Sequence, residues 1–460
     1  MPPPNITGQL HLGHALFLTL QDIQTRAQMI LGNDALWLPG TDHAGLATHA
    51  KILESMTERG LDPADEAAYA ATGWAWKDRF HARITQQIKR MGAACDWSKE
   101  RFTLDEGYQV STREAFRRMM ALGGLSQRDG QWYLDMAAHA APLIEAIEDG
   151  TITIRPEGPK NELLSMLRHI EPWCLSRQIG WGLRMPLIHR EGEACYHAPG
   201  DPIPDGWTEE TSTLDTWFLS ALWPFATLGW PESTPDLARY YPAAWMESAD
   251  DILFFWLARM LMIGHALTGQ WAFRDIFLHG IIRDKHGRKM SKSLGNGLDP
   301  LDLIQIKGTD ALRWMLATRA EPGLDMKFNP ADLNVEARLI NKIWQAGRFL
   351  SQYPASLGTW ADHPEEQALD AMTERWKAAL ADHAFPRLAR DLQRSFTDEF
   401  CSRWLEGSKE DLAQGDRALA ALGHRLFRRY LTLFHPFLPF LTCELDRLLN
   451  PGLVADETLM

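Results

Sequence analysis

The chain has 460 residues, 45% of them hydrophobic and 23% charged, enough to bury the cores of two or three domains. A net charge of −13 at pH 7 excludes a non-specific nucleic-acid coat but allows a local basic groove on an acidic body. Five scattered cysteines, Cys95, Cys174, Cys195, Cys401 and Cys443, exclude a metal site built on paired thiolates and point to reduced thiols in the cytoplasm. No apolar run reaches membrane-span length, so no membrane association is expected. Met1 leads into three prolines rather than a signal peptide.

In chain order, residues 2–8 are extended or turn, because Pro2, Pro3 and Pro4 fix φ and restrict the residue before them. From His11 the spacing of Leu12, Ala15, Leu16, Leu20 and Ile23 predicts a helix. His11 and His14 then lie in its first turn, where free N–H groups and the dipole favour anions. Two imidazoles there add hydrogen bonds to a phosphate; the plainer alternative is a pair of surface histidines. Gly13 inside the helix costs about 1 kcal/mol and points to close approach of a flat base or ribose.

Ala35–Leu38 predicts a buried strand that ends in Pro39-Gly40-Thr41-Asp42-His43-Ala44-Gly45, a loop at a strand's carboxyl end. Asp42 there suits an ammonium group, or caps a helix from Ala44. Residues 50–120 read as helical, with Trp74, Trp76, Phe80 and Ile84 at core spacing. Residues 123–160 read as a small connecting module with a hairpin and a helix, and 190–212 as a loop or small ribbon. Leu214–Phe218 and Ala249–Trp256 each open a helix, with Ile252 and Trp256 on one face.

Phe277–Ile282 predicts a strand running into Arg283–Ser293, which carries five Lys and Arg side chains. A helix follows over about 309–320. Beyond 330 the pattern is all helical. Phe385, Leu388, Leu392, Phe396, Phe400 and Trp404 recur every three or four residues, with Arg387, Arg390, Arg394 and Arg403 between them. Those arginines form a solvated face or touch nucleic-acid phosphates. His435-Pro436-Phe437-Leu438-Pro439 breaks a helix near the end.

His11-Leu12-Gly13-His14 and Lys289-Met290-Ser291-Lys292-Ser293 resemble the HIGH and KMSKS signatures of class I aminoacyl-tRNA synthetases. Pro2–Gly8, Gly40–Gly45, Trp173–Gln178, Leu214–Phe218 and His286–Asn296 are similar to the valyl-tRNA synthetase family, and the likeness runs over nearly the whole chain. The resemblance implies an α/β fold: a Rossmann-type parallel-sheet catalytic domain split by a short insertion, followed by an all-α helical bundle. Its boundaries are 1–125, an insertion at 126–172, 173–331 with the KMSKS-like loop, and an anticodon-binding-like bundle at 332–460.

The activity implied is ATP-dependent formation of valyl-adenylate and transfer of the acyl group to tRNA(Val). By resemblance His11, Gly13, His14, His279, Gly280, Lys289, Met290, Ser291, Lys292 and Ser293 bind ATP. His11, His14, Lys289 and Lys292 act on its phosphates. Pro3, Asn5, Asp42, Trp217, Ile252 and Trp256 surround the amino acid, with Asp42 on its α-ammonium and two indoles forming a slot for valine. Mg²⁺ is expected with ATP and not on protein ligands, and the protein is expected to be a cytoplasmic monomer.

The chain departs from that family in several places. Only about 45 residues separate Leu125 from Glu171, too few for the family's editing domain, so threonine mischarging is expected. An apolar pocket rejects threonine by only about a hundredfold, a figure that comes from enzymes of this same family. A strand precedes Pro-Pro-Pro-Asn in the family, whereas here only Met1 does, so a sheet without its first strand is expected. Ser248-Ala249-Asp250-Asp251 replaces a glycine and an aromatic before Asp-Ile, placing the Asp250 charge beside the amino-acid pocket. No C-terminal coiled coil follows the bundle, so a weaker grip on tRNA is expected. Two other readings stand beside the first. One is a paralogue charging a carrier protein or small molecule, against which the helical C-terminal region argues. The other is an inactive tRNA-binding relic, against which His11, His14, Asp42, Lys289 and Lys292 argue.

Overall fold

The computed structural model describes residues 1–290, 296–353 and 363–449; Ser291, Lys292 and Ser293 of the basic motif lie outside the described residues. The chain forms two compact units. One contains residues 1–9, 38–86 and 95–278, the other 10–37, 87–94 and 279–460. The fold is mixed α/β with parallel strand pairing and a helical C-terminal region.

In the first unit Gly40–Thr41 pairs in parallel with Arg101–Phe102. The strand expected over Ala35–Leu38 is not formed, and only two residues of that region are in a strand. Its neighbour on the other side is the proline segment: Asp42 N–H donates to Pro4 O (2.9 Å) and Ile6 N–H to Asp42 O (3.1 Å). Pro2, Pro3 and Pro4 have no N–H, so a regular ladder cannot extend back along that edge.

The segment after Leu125 forms a hairpin (Leu125–Arg128 with Gln131–Leu134), a helix (Ala137–Glu148), a strand (Thr153–Arg155) and a second helix (Glu157–Arg168). Thr153–Arg155 pairs in parallel with Asp275–Phe277, so this segment supplies a strand to the sheet. Residues 187–209 form a three-stranded antiparallel ribbon. In the helix Glu66–Arg90, Ile84 is buried and Trp76 and Phe80 are half-buried. Trp74 departs from the expected core. It is 46% exposed, although its ring meets Trp181 and Phe102 in T-shaped contacts.

Asp250–Thr268 also departs from expectation. By length and composition it is apolar enough to cross a membrane, with a mean hydropathy of 1.3 over its 18-residue window. It is a 3₁₀ turn (Asp250–Ile252), a π-helix (Leu253–Ala258) and an α-helix (Arg259–Thr268). Leu253, Trp256, Leu257, Met260, Leu261 and Ile263 are buried in the unit.

In the second unit the helix Leu12–Ile30 shares a buried charge cluster with the C-terminal helices. Asp22 accepts from Arg26 (2.8 Å), Arg313 (2.6 Å) and Ala94 N–H (2.7 Å). Arg313 also donates to Met91 O, Pro436 O and Phe437 O. The helix expected through 404 changes register, from α over Phe385–Arg394 to π over Ser395–Leu405. Phe396, Phe400 and Trp404 stack along it at 5.5 and 5.4 Å. Arg387, Arg390 and Arg403 pair with Asp382, Glu321 and Glu399, as a solvated face does.

Candidate functional site

The histidine signature is a helix cap. His11 precedes Leu12–Ile30 in extended conformation, and its Nδ1 accepts from Gly13 N–H (3.1 Å). His14 Nδ1 accepts in return from His11 N–H (3.2 Å), and the rings meet edge to face at 4.0 Å. With both Nδ1 atoms accepting, each neutral imidazole carries its proton on Nε2 and is a donor there. Gly13 has a local reason the sequence did not disclose: a Cβ would stand 2.9 Å from His11 Cε1. The space over Gly13 belongs to the His11 ring.

The basic loop is folded around Asp284, which sequence reading missed. Asp284 accepts from the N–H groups of His286 (2.9 Å) and Arg288 (3.0 Å), the Arg288 guanidinium (2.8 Å) and Asn296 Nδ2 (3.1 Å). Burial raises its pKa, but these donors outweigh it and hold the carboxyl well below its usual range. Gly287 takes φ +81° in the turn. Asp at the first position and Gly at the fourth is the signal that could have found it. Asn296 also donates to Lys289 O (3.3 Å), and Arg283 and Lys289 form an antiparallel bridge. Lys289 is exposed and Met290 half-buried. His279 is buried and pairs its Nδ1 with Gly280 O (2.7 Å). At Gly280 a Cβ would stand 2.4 Å from Leu324 C, so glycine is required by the crossing backbone. His11, Gly13, His14, His279, Gly280, Lys289 and Met290 all fall in the second unit.

Asn5, Asp42, Trp217, Ile252, Trp256 and Pro3 fall in the first unit. Asp42 is 3% exposed. Its Oδ1 accepts from Ala44 N–H and the Thr216 hydroxyl, both at 2.6 Å, and its Oδ2 from the Ser220 hydroxyl. These bonds leave one acceptor position, on Oδ2. The N-cap position of the helix Gly45–Glu58 is Ala44, in left-handed conformation (φ +57°), two residues after Asp42. Ser220 reaches further: its carbonyl accepts from Trp256 Nε1 (3.1 Å). Thr216 and Ser220 are four apart on Thr216–Ser220, hence on one face; that spacing was present in the sequence and was not used.

Trp256 is buried, Trp217 and Ile252 half-buried, Pro3 buried and Asn5 exposed. Asn5 and Asp42 form a parallel bridge, and Trp76 Nε1 donates to Ile6 O (2.8 Å). The structure thus links Asn5, Asp42 and Trp256 by bonds, and Trp217 by its place on the Thr216–Ser220 helix. His43 is fully buried beside them, with Nδ1 on Thr103 Oγ1 (2.8 Å). Burial lowers its pKa against the pull of Asp42 and Asp215, keeping it neutral. Among the described residues no group of three or more His, Cys, Asp or Glu is placed to hold a metal ion.

Residues 1–129, 125–201 and 202–329 match the family model described as tRNA synthetases class I (I, L, M and V). Residues 366–456 match the anticodon-binding domain of tRNA ligase. The chain belongs to the class I tRNA synthetases and is an aminoacyl-tRNA ligase, with ATP, an amino acid and tRNA as the partners this family implies. Among its relatives, the valine–tRNA ligase of Carboxydothermus hydrogenoformans is 29% identical, the alignment taking in 98% of this chain and 75% of that protein. The valine–tRNA ligase of Geobacillus stearothermophilus is 28% identical, with 97% and 74% covered. In fold the chain is similar to a Mycobacterium tuberculosis methionyl-tRNA synthetase in complex with methionyl-adenylate. That match has a TM-score of 0.75 at 19% identity and covers 96% of this chain and 92% of the other.

Proposed function

We propose that this chain activates valine with ATP and transfers it to tRNA(Val) without editing the product. The observation that carries this reading is the alignment with valine–tRNA ligases. It takes in 98% of the chain yet runs over 664 residues where the chain has 460, so the relative holds a long stretch with no counterpart here. The segment 126–172, where an editing domain is expected, holds only the hairpin, two short helices and one sheet strand.

In the first step a valine carboxylate oxygen attacks the α-phosphorus of ATP. The bond from that phosphorus to the α–β bridging oxygen breaks, and pyrophosphate leaves with the electron pair. In the second step a ribose hydroxyl at the tRNA's 3′ end attacks the acyl carbon, and AMP leaves. Positioning and charge stabilisation drive such chemistry. His11 and His14 donate through Nε2 to the phosphates, beside the N–H groups of the helix start. Lys289 and Lys292 meet the charge building on pyrophosphate as mobile point charges. Asp42 takes the valine ammonium on the one Oδ2 position its three donors leave. Mg²⁺ would come with ATP and would neutralise charge on its phosphates. Trp217, Ile252 and Trp256 give an apolar slot. On this reading the protein works as a cytoplasmic monomer.

The tRNA acceptor is supported by the helical unit. Residues 366–456 of it match the anticodon-binding domain of tRNA ligase.

The test is amino-acid-dependent ATP–pyrophosphate exchange across all twenty amino acids, with and without tRNA, followed by charging. Valine is expected to give the fastest exchange, and Thr-tRNA to accumulate above the level left by an editing enzyme. Exchange led by another amino acid, or exchange without tRNA charging, overturns the substrate assignment. Thr-tRNA held at the edited level overturns the loss of editing.

A further inference from the structure

Gln87 lies in the last turn of the helix Glu66–Arg90, is fully buried, and has no part in the reading above. Its Oε1 accepts from Leu10 N–H (2.8 Å) and its Nε2 donates to Leu10 O (3.3 Å). The same Nε2 donates to Asp299 Oδ1 (2.9 Å). Leu10 is the residue before His11 and is itself buried. Its backbone precedes the helix, so its N–H and C=O need partners that regular structure does not supply. Gln87 supplies both, pairing with one residue as a neighbouring strand would. Asp299 caps the helix Pro300–Lys307 through Leu301 N–H (2.8 Å). Three residues before it, Asn296 is bonded to Asp284 and to Lys289 O. One side chain therefore joins the backbone entering the histidine turn to the segment closing the basic loop. The chemistry admits only glutamine. Leu10 N–H requires an acceptor, Asp299 and Leu10 O require donors, and asparagine is one methylene short.

We propose that Gln87 is a positioning residue for adenylate formation, setting the His11–His14 turn against the segment that anchors the basic loop so that both act on one ATP. This rests on the reading of those two motifs as the ATP site. Glutamate at this position keeps the bond to Leu10 N–H but turns a carboxylate on Asp299 and on Leu10 O. An unpaired buried polar group is expected to raise the KM for ATP about tenfold and to slow exchange by a similar factor.

The experiment is ATP–pyrophosphate exchange with Gln87→Glu, with Gln87→Leu as an uncharged second variant, read as separate KM values for ATP and valine. The expected result is a raised ATP KM with the valine KM within about twofold. A lowered melting temperature with both KM values unchanged overturns the proposal, and so does a valine KM raised as much as the ATP KM. His14→Ala and Lys289→Ala separate the two levels. If they impair exchange and neither Gln87 variant does, the positioning role falls and the ATP-site reading stands. If none of these variants alters the ATP dependence, the site reading falls and the proposal with it.

Discussion

The two regions that carry the candidate site are held in opposite ways. In the unit with His11, His14 and Lys289, the fixed carboxylate is Asp284, which spends itself on backbone N–H groups and on Arg288 while Lys289 stays exposed. The protein secures the chain there and leaves the cation at the surface. In the unit with Asp42 the carboxylate proposed to take the ammonium group is itself the hub, buried and taken by Ala44, Thr216 and Ser220. An anionic substrate needs cations that follow it, whereas an ammonium group needs one charge held in place.

That contrast fixes what each substitution should do. Asp42→Asn removes the charge and disturbs the hub together. Valine-dependent kcat/KM in pyrophosphate exchange should fall about a thousandfold, with a loss of about 1–2 kcal/mol in unfolding free energy. A normal valine KM would break the comparison. Lys289→Ala acts on developing charge only. The exchange kcat should drop about a hundredfold with the valine KM nearly unchanged and the melting temperature intact. A shifted melting temperature would show that Lys289 belongs to the fold.

The smallest effect concerns pH. Burial first, then Arg26, push the His435 pKa down to about 3 against the pull of Asp22. A histidine depressed on folding contributes stability that is present above its unfolded pKa, near 6.5, and is lost as pH falls toward the folded value. Between pH 7 and pH 5 this removes about 2 kcal/mol. Burial raises the Asp310 pKa to about 6, so its contribution runs the other way and is lost as pH rises through 6. Urea unfolding of His435→Gln beside the unsubstituted protein isolates the histidine. The variant should lose about 2 kcal/mol less over that interval, and parallel curves would refute the assignment.

Much of this was legible in the sequence where a local rule decides the outcome. The helix at Leu12, the hairpin after Leu125 and the ribbon follow from periodicity and turn chemistry. What escaped was set by partners distant in sequence. No pattern marks a glutamine such as Gln87, whose bonds reach 77 and 212 residues away. Trp74 sat at core spacing but stays 46% exposed. Ala35–Leu38 had strand composition, yet only Gly40–Thr41 beyond it pairs as a strand. The π turns at Leu253 and Ser395 lie inside sequences that read as ordinary helix, because apolar spacing of three or four does not distinguish the two.

The Asp22–Arg313 cluster bears on how the protein can be divided. The composition changes near residue 331, and the anticodon-binding match begins later, at 366. Arg313 nevertheless spends its guanidinium on Asp22 in the histidine-bearing helix and on the carbonyls of Pro436 and Phe437 near the far end. Severing the chain between these places would leave a buried cation with Asp22 and Met91 O but without the carbonyls of Pro436 and Phe437. The helix that begins at His11 and the C-terminal helices thus share one buried charge cluster within one compact unit. A truncation that removes those helices is expected to destabilise the helix that carries His11 and His14.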